Sequence, residues 1–111
     1  MGAGKLKHYG YTDTLDKLIV AFCADYPRRK AAIDVEAVSP RCTMEYKYLN
    51  YRIFEGAAEI VGTDYAELYI NEIGRKVGFA NTSHPAVSEQ TYKLEKQEVK
   101  INIARKLHLV G

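Results

Sequence analysis

The sequence predicts an all-α domain, a compact bundle of about five helices with a C-terminal helix-turn-helix-like pair. Three observations predict it. Apolar residues recur at three- and four-residue spacing along most of the chain, which lays them on one side of a helix. Residues that cap helix starts stand ahead of those stripes, and glycine or proline stands behind them. No stretch reads as a strand, because even the tyrosine-rich residues 46–51 continue the helical period of their neighbours.

Residues 1–11 carry glycine and lysine without an apolar period and read as a flexible tail, leaving 12–111 as one helical domain. Gly2-Ala3-Gly4-Lys5 lacks both the leading glycine and the following Ser or Thr of a phosphate-binding loop. The first helix is expected over residues 13–25. Thr12 or Asp13 caps it, Asp16 puts negative charge in its first turn, and Leu15, Leu18, Ile19, Phe22 and Cys23 form its stripe. Pro27 disfavours a helical Tyr26 and suits the first position of a new helix, so a separate short helix is expected over 27–35. Arg28, Arg29 and Lys30 are placed on its solvated side.

Ser39-Pro40 marks a turn, and a third helix follows Thr43 as far as about residue 61. Its expected apolar side holds Met44, Tyr48, Tyr51, Phe54, Ala58 and Val61. Gly62 is placed just past its end, where a left-handed conformation favours glycine. A fourth helix opens at Thr63 or Asp64, carries Ala66, Tyr69, Ile70, Ile73 and Val77 inward, and ends at Gly78. Gly74 inside it marks either a close approach of another helix or an incidental glycine that costs about 1 kcal/mol against alanine. A loop over 79–87 follows, with Phe79 as a core plug, and Ser88 caps a last helix reaching about residue 107.

The composition sets limits on function. A chain of 111 residues with 47% apolar and 27% charged side chains suits one globular domain. Cys23 and Cys42 share no metal-type spacing and read as reduced thiols, Cys23 as a core residue. His8, His84 and His108 are scattered, so no catalytic, metal or cofactor site is expected. Residues 1–10 lack the apolar run of a secretory signal, and no apolar run is long enough to span a bilayer. A cytoplasmic protein without a membrane partner is expected.

Charge distribution is more informative than the net charge of +2. From residue 75 onward, Arg75, Lys76, Lys93, Lys96, Lys100, Arg105 and Lys106 face only Glu89, Glu95 and Glu98. On a helical projection of the last helix, Val99 and Ile103 each fall within about 20° of Tyr92. Leu94 and Ile101 lie on nearly the opposite side, which predicts burial on both sides, within the monomer or in a homodimer. Lys93, Lys96 and Lys100 cluster within about 60° between the two stripes, with Glu95 and Glu98 on the other flank.

Residues 63–108 therefore read as a helix, a connection and a capped basic helix. Such a second helix would enter the major groove of double-stranded DNA by its amino-terminal end. Glu89, Gln90, Lys93 and Gln97 would face base edges, Lys96 and Lys100 would meet phosphates, and the helix start at Ser88 would favour one more phosphate. The connection is long for this motif, whose turn usually has three or four residues.

The stretches Ile70-Asn71-Glu72-Ile73-Gly74-Arg75-Lys76-Val77-Gly78, Ser88-Glu89-Gln90-Thr91-Tyr92-Lys93 and Ile103-Ala104-Arg105-Lys106-Leu107 resemble the C-terminal half of phage sigma-like regulators of Gram-positive bacteria, the ArpU/RinA-like group. The Ser-x-x-Thr-aromatic-Lys start is similar to region 4 of sigma factors. Asp25-Tyr26-Pro27-Arg28-Arg29-Lys30 and Tyr48-Leu49-Asn50-Tyr51 fit the same pattern, and residues 80–87 depart from it as an insertion. The resemblance implies a phage- or prophage-derived transcription regulator, with RNA polymerase as a further partner. The competing expectation is a helical interaction module without DNA contact, binding a protein or a second copy through Leu94, Ile101 and the tyrosine-rich third helix.

Overall fold

The computed structural model describes residues 10–36, 38–84 and 87–110. Four α-helices account for most of them: α1 (Asp13–Asp34), α2 (Pro40–Val61), α3 (Thr63–Gly74) and α4 (Glu89–Lys106), with a 3-10 turn at Phe79–Asn81. Among the described residues there is no strand, and no helix is long and apolar enough to cross a membrane.

The expected break at Pro27 does not occur, and α1 runs through it, so two of the five expected helices are one. Pro27 removes one N–H, which would otherwise pair with the Cys23 carbonyl. Side chains support the turns around that gap. Arg29 Nη2 donates to the Phe22 carbonyl at 2.8 Å, and Asn50 Nδ2 donates to the Tyr26 carbonyl at 3.3 Å. Arg29 accordingly does not lie on a solvated face: it is 3% exposed, with Nε on Asn50 Oδ1 at 2.7 Å and Nη1 on Asp25 at 3.0 Å.

Thr12 caps α1 by accepting from the Leu15 N–H at 3.1 Å. Ahead of it, Tyr11 belongs to the core and not to a tail; it is 1% exposed and its hydroxyl donates to Asp16 Oδ1 at 2.9 Å. The remainder of the expected tail, residues 1–9, lies outside the described residues.

Helix α2 starts earlier than Thr43, with Ser39 as its cap and Pro40 in its first turn. Its buried face is Asn50, Ile53, Gly56 and Ala57. Met44, Tyr48 and Tyr51, expected to face inward, are 73%, 53% and 62% exposed. Packing against α4 selects the face bearing Gly56, where an added Cβ would lie 2.9 Å from Ile103 Cα. Tyrosine rings can stay at the surface because their hydroxyls remain hydrated.

Gly62, at φ +86°, ends α2 and begins α3. Helix α3 stops at Gly74, short of the expected Gly78. Lys76 takes the left-handed position at φ +55°. Its N–H donates to Ile73 O at 3.2 Å, and the Val77 N–H donates to Glu72 O at 2.9 Å. Both bonds satisfy carbonyls that a helix end would otherwise leave unpaired. Gly74 proves to be a point of close approach: a Cβ there would sit 2.5 Å from Ala24 N, in the backbone of α1.

Helix α2 packs most extensively on α4 and also lies against α3 and α1, α1 packs on α3, and α3 and α4 barely touch each other. Ile19, Cys23, Ile53, Ala57, Ala66, Ile70, Ile73, Val99 and Ile103 fill the centre. Burial pushes the Cys23 thiol up to about 12, so it stays protonated as a core residue.

Candidate functional site

Helix α4 divides into two halves. Its carboxy-terminal half is anchored: Val99, Ile101, Asn102, Ile103 and Ala104 are all buried, and Asn102 Nδ2 donates to the Gly56 carbonyl at 2.9 Å and to Glu59 at 3.0 Å. Its amino-terminal half reaches solvent. Ser88 caps it by accepting from the Thr91 N–H at 3.2 Å. Ser88, Glu89, Gln90, Thr91, Lys93 and Leu94 are exposed, and Gln97 is half-buried.

A buried carboxylate holds this amino-terminal half in place. Glu72 of α3, 5% exposed, accepts from Tyr92 Oη at 2.6 Å, Thr82 Oγ1 at 2.6 Å and the Ser83 N–H at 2.9 Å. Burial works to raise its carboxyl, but these three donors and nearby Lys96 together hold it below the usual carboxylate value. Tyr69 Oη donates to Glu95 at 2.7 Å beside it. In the connection, the His84 ring stacks on Tyr65 with centroids 4.2 Å apart. Pro85 and Ala86, within the apparent insertion, lie outside the described residues.

The three lysines of the ridge have three different settings. Lys93 is exposed and pairs with Glu89 of its own helix at 2.9 Å. Lys96 is half-buried; its Nζ donates to the Val77 carbonyl at 2.6 Å and stands 5.1 Å from the centre of the Tyr92 ring. Lys100 pairs with Asp16 of α1 at 2.8 Å and its side chain is 17% exposed. Of the three lysines expected to meet base edges or phosphates, Lys93 is open to solvent, and Lys96 and Lys100 are recessed. Ile101 was expected to be buried within the monomer or in a homodimer. At 9% exposure it packs inside the monomer, so Leu94, 47% exposed, has no apolar companion from Ile101 at the surface.

Lys76 was not among the residues expected at the site. The turn after α3 brings it to a cavity of about 310 Å³ whose lining includes Asp16, Val77, Gly78, Lys96 and Lys100. The sequence signal was present in the Arg75-Lys76 pair, but the charged residues that share the cavity, Asp16, Lys96 and Lys100, are twenty or more residues away. Among the described residues no three His, Cys, Asp or Glu side chains gather as a metal site. The chain defines an all-helical protein with a half-free basic helix. It matches no protein-family model, and neither a curated protein nor a solved structure shows significant similarity to it.

Proposed function

We propose that this protein is a DNA-binding transcription regulator that offers the first turns of α4 to the major groove. The observation that carries the reading is the division of α4. Its far half is clamped in the core while Glu89, Gln90, Thr91 and Lys93 are exposed on the near half. A rigidly held helix with a polar, capped amino-terminal end is what groove insertion needs. Gln90 is suited to adenine and Lys93 to guanine or phosphate. The link between α3 and α4, residues 75–88, is longer than the turn of a helix-turn-helix, so the reading rests on the exposed start of α4. A phage sigma-like role follows from the motif resemblance.

Fluorescence anisotropy with random-sequence duplex DNA across a salt series tests this. Binding at roughly micromolar Kd, falling steeply with salt, is expected. Lys93→Ala is expected to lower the slope of log K against log salt by about 1 with helicity unchanged. Absence of binding at low salt would refute the proposal.

One observation favours a second reading, protein docking. Met44, Tyr48 and Tyr51 form an exposed strip on α2, with the Arg52 guanidinium 5.3 Å from the Tyr48 ring centre and 6.0 Å from that of Tyr51. Aromatic and arginine side chains of this kind are enriched at interfaces. Sedimentation equilibrium of wild type and of Tyr48→Ser/Tyr51→Ser would show whether a second copy docks there.

A further inference from the structure

We infer that the cavity between the end of α3, the first turns of α1 and the middle of α4 is a seat for a phosphate group, held by Lys76, Lys96 and Lys100. Three lysines from two parts of the chain line one concavity, against a single lining carboxylate, Asp16. Its volume, about 310 Å³, accommodates a phosphate with part of its hydration.

The cations are incompletely matched. Asp16 serves Lys100 at 2.8 Å and the Tyr11 hydroxyl at 2.9 Å through the same oxygen. Lys96 spends one of its three N–H donors on a neutral carbonyl, that of Val77. Lys76 makes no ion pair among the described residues. Lys96 is held below its usual value first by burial and then by the charge of Lys100, with Glu72 acting the other way. An anion in the cavity would offset that repulsion and offer acceptors to the remaining N–H groups of its lysines.

The seat also lies one and two helical turns along α4 from Lys93, on the same side of the helix. A groove-bound duplex with Lys93 at its edge would bring a backbone phosphate there. In that form the inference rests on the DNA-binding reading, whereas a free phosphate or phosphorylated small molecule would use the seat without it.

Two measurements on the full chain separate the cases. The first is an ¹H–¹⁵N NMR titration with inorganic pyrophosphate against chloride at equal ionic strength. The second is the DNA salt slope of Lys76→Gln and of Lys100→Gln. Asp16→Asn keeps the acceptor for Tyr11 and Lys100 but removes the opposing charge, and is expected to tighten pyrophosphate binding several-fold. Saturable shifts confined to Val77, Gly78 and residues 96–100, lost in Lys76→Gln, support the seat; if DNA fails to bind in the same protein, the source is a free phosphate. A salt slope lowered in each lysine variant, by no more than about 0.9 because the seat holds one phosphate, supports the seat with DNA as source, whether or not pyrophosphate shifts appear. No saturable shifts, together with either unchanged slopes or no DNA binding, would overturn it. Lys76 is exposed, so its variant tests the seat even if Lys100→Gln disturbs the fold.

Discussion

Tyr11, Tyr26, Tyr69 and Tyr92 are each buried, and each hydroxyl donates to a carboxylate: Asp16, Glu67, Glu95 and Glu72 respectively. A buried phenol needs such a partner, and a charged acceptor makes the bond stronger than a neutral one. The network at Glu72 is the most enclosed, because two further donors from residues 82 and 83 complete it. Tyr92→Phe leaves the ring volume in place and deprives Glu72 of one of three donors. We expect a loss of about 2 kcal/mol in urea unfolding, in the range for a hydrogen bond to a charged group. Tyr48→Phe on the exposed strip is expected to change stability by less than about 0.5 kcal/mol. Equal effects of the two substitutions would contradict the role assigned to Glu72.

At the scale of elements, two glycines set how closely the helices pack. Gly74 brings α3 onto the backbone of α1 at Cys23 and Ala24, and Gly56 brings α2 onto α4 at Ile103. A methyl group at position 74 would meet main-chain atoms, which cannot rotate away. Gly74→Ala gains at most about 1 kcal/mol of helix propensity, because Gly74 is the last residue of α3. It also forces α1 and α3 apart, at the upper end of the roughly 1–3 kcal/mol that overpacking costs. A net destabilisation is expected, read as a lowered urea midpoint. A raised midpoint would show that the two helices separate freely. At the same scale, the continuity of α1 forgoes one N–H at Pro27 and places Tyr26 and Arg29 in the core.

For the whole molecule, paired carboxylates and buried phenols shape the pH range of stability. Hydrogen bonding from Lys30 first, opposed by burial and aided by Tyr26, holds the Glu67 carboxyl low. Glu72 is held low by its three donors against burial. A carboxyl depressed in the folded chain stabilises it above the usual value of 4.5, and that contribution is lost as pH falls beneath it. The phenols behave oppositely. Burial first, and then the Glu72 bond, pushes Tyr92 from 10.0 up to about 12. Its contribution is therefore complete below pH 10 and lost as pH rises toward 12. Thermal unfolding followed by circular dichroism should show Tm falling below pH 4.5 and again above pH 10. A Tm that holds constant to about pH 3 would mean that these carboxylates bind protons equally in both states.

The helical class was legible in the sequence because spacing and capping are local properties. Thr12 and Ser88 cap the helices they were expected to cap, and Ile19, Cys23, Ala66, Ile70, Ile73, Tyr92, Val99 and Ile103 face inward as their stripes predict. Which face of α2 turns inward was not legible, since both sides carry apolar groups and only the fit of Gly56 to Ile103 decides between them. The inward turn of Arg29 depends on Asn50, twenty-one residues away. The exposed start of α4 follows from its sequence pattern, yet the recession of Lys96 and Lys100 follows from Val77 and Asp16. Periodicity by itself determined that these segments are helices and which residues cap them. Tertiary structure alone decided which charges are buried, which tyrosines are wet and which lysines share a cavity, because each of those outcomes is a contact between residues far apart in the chain.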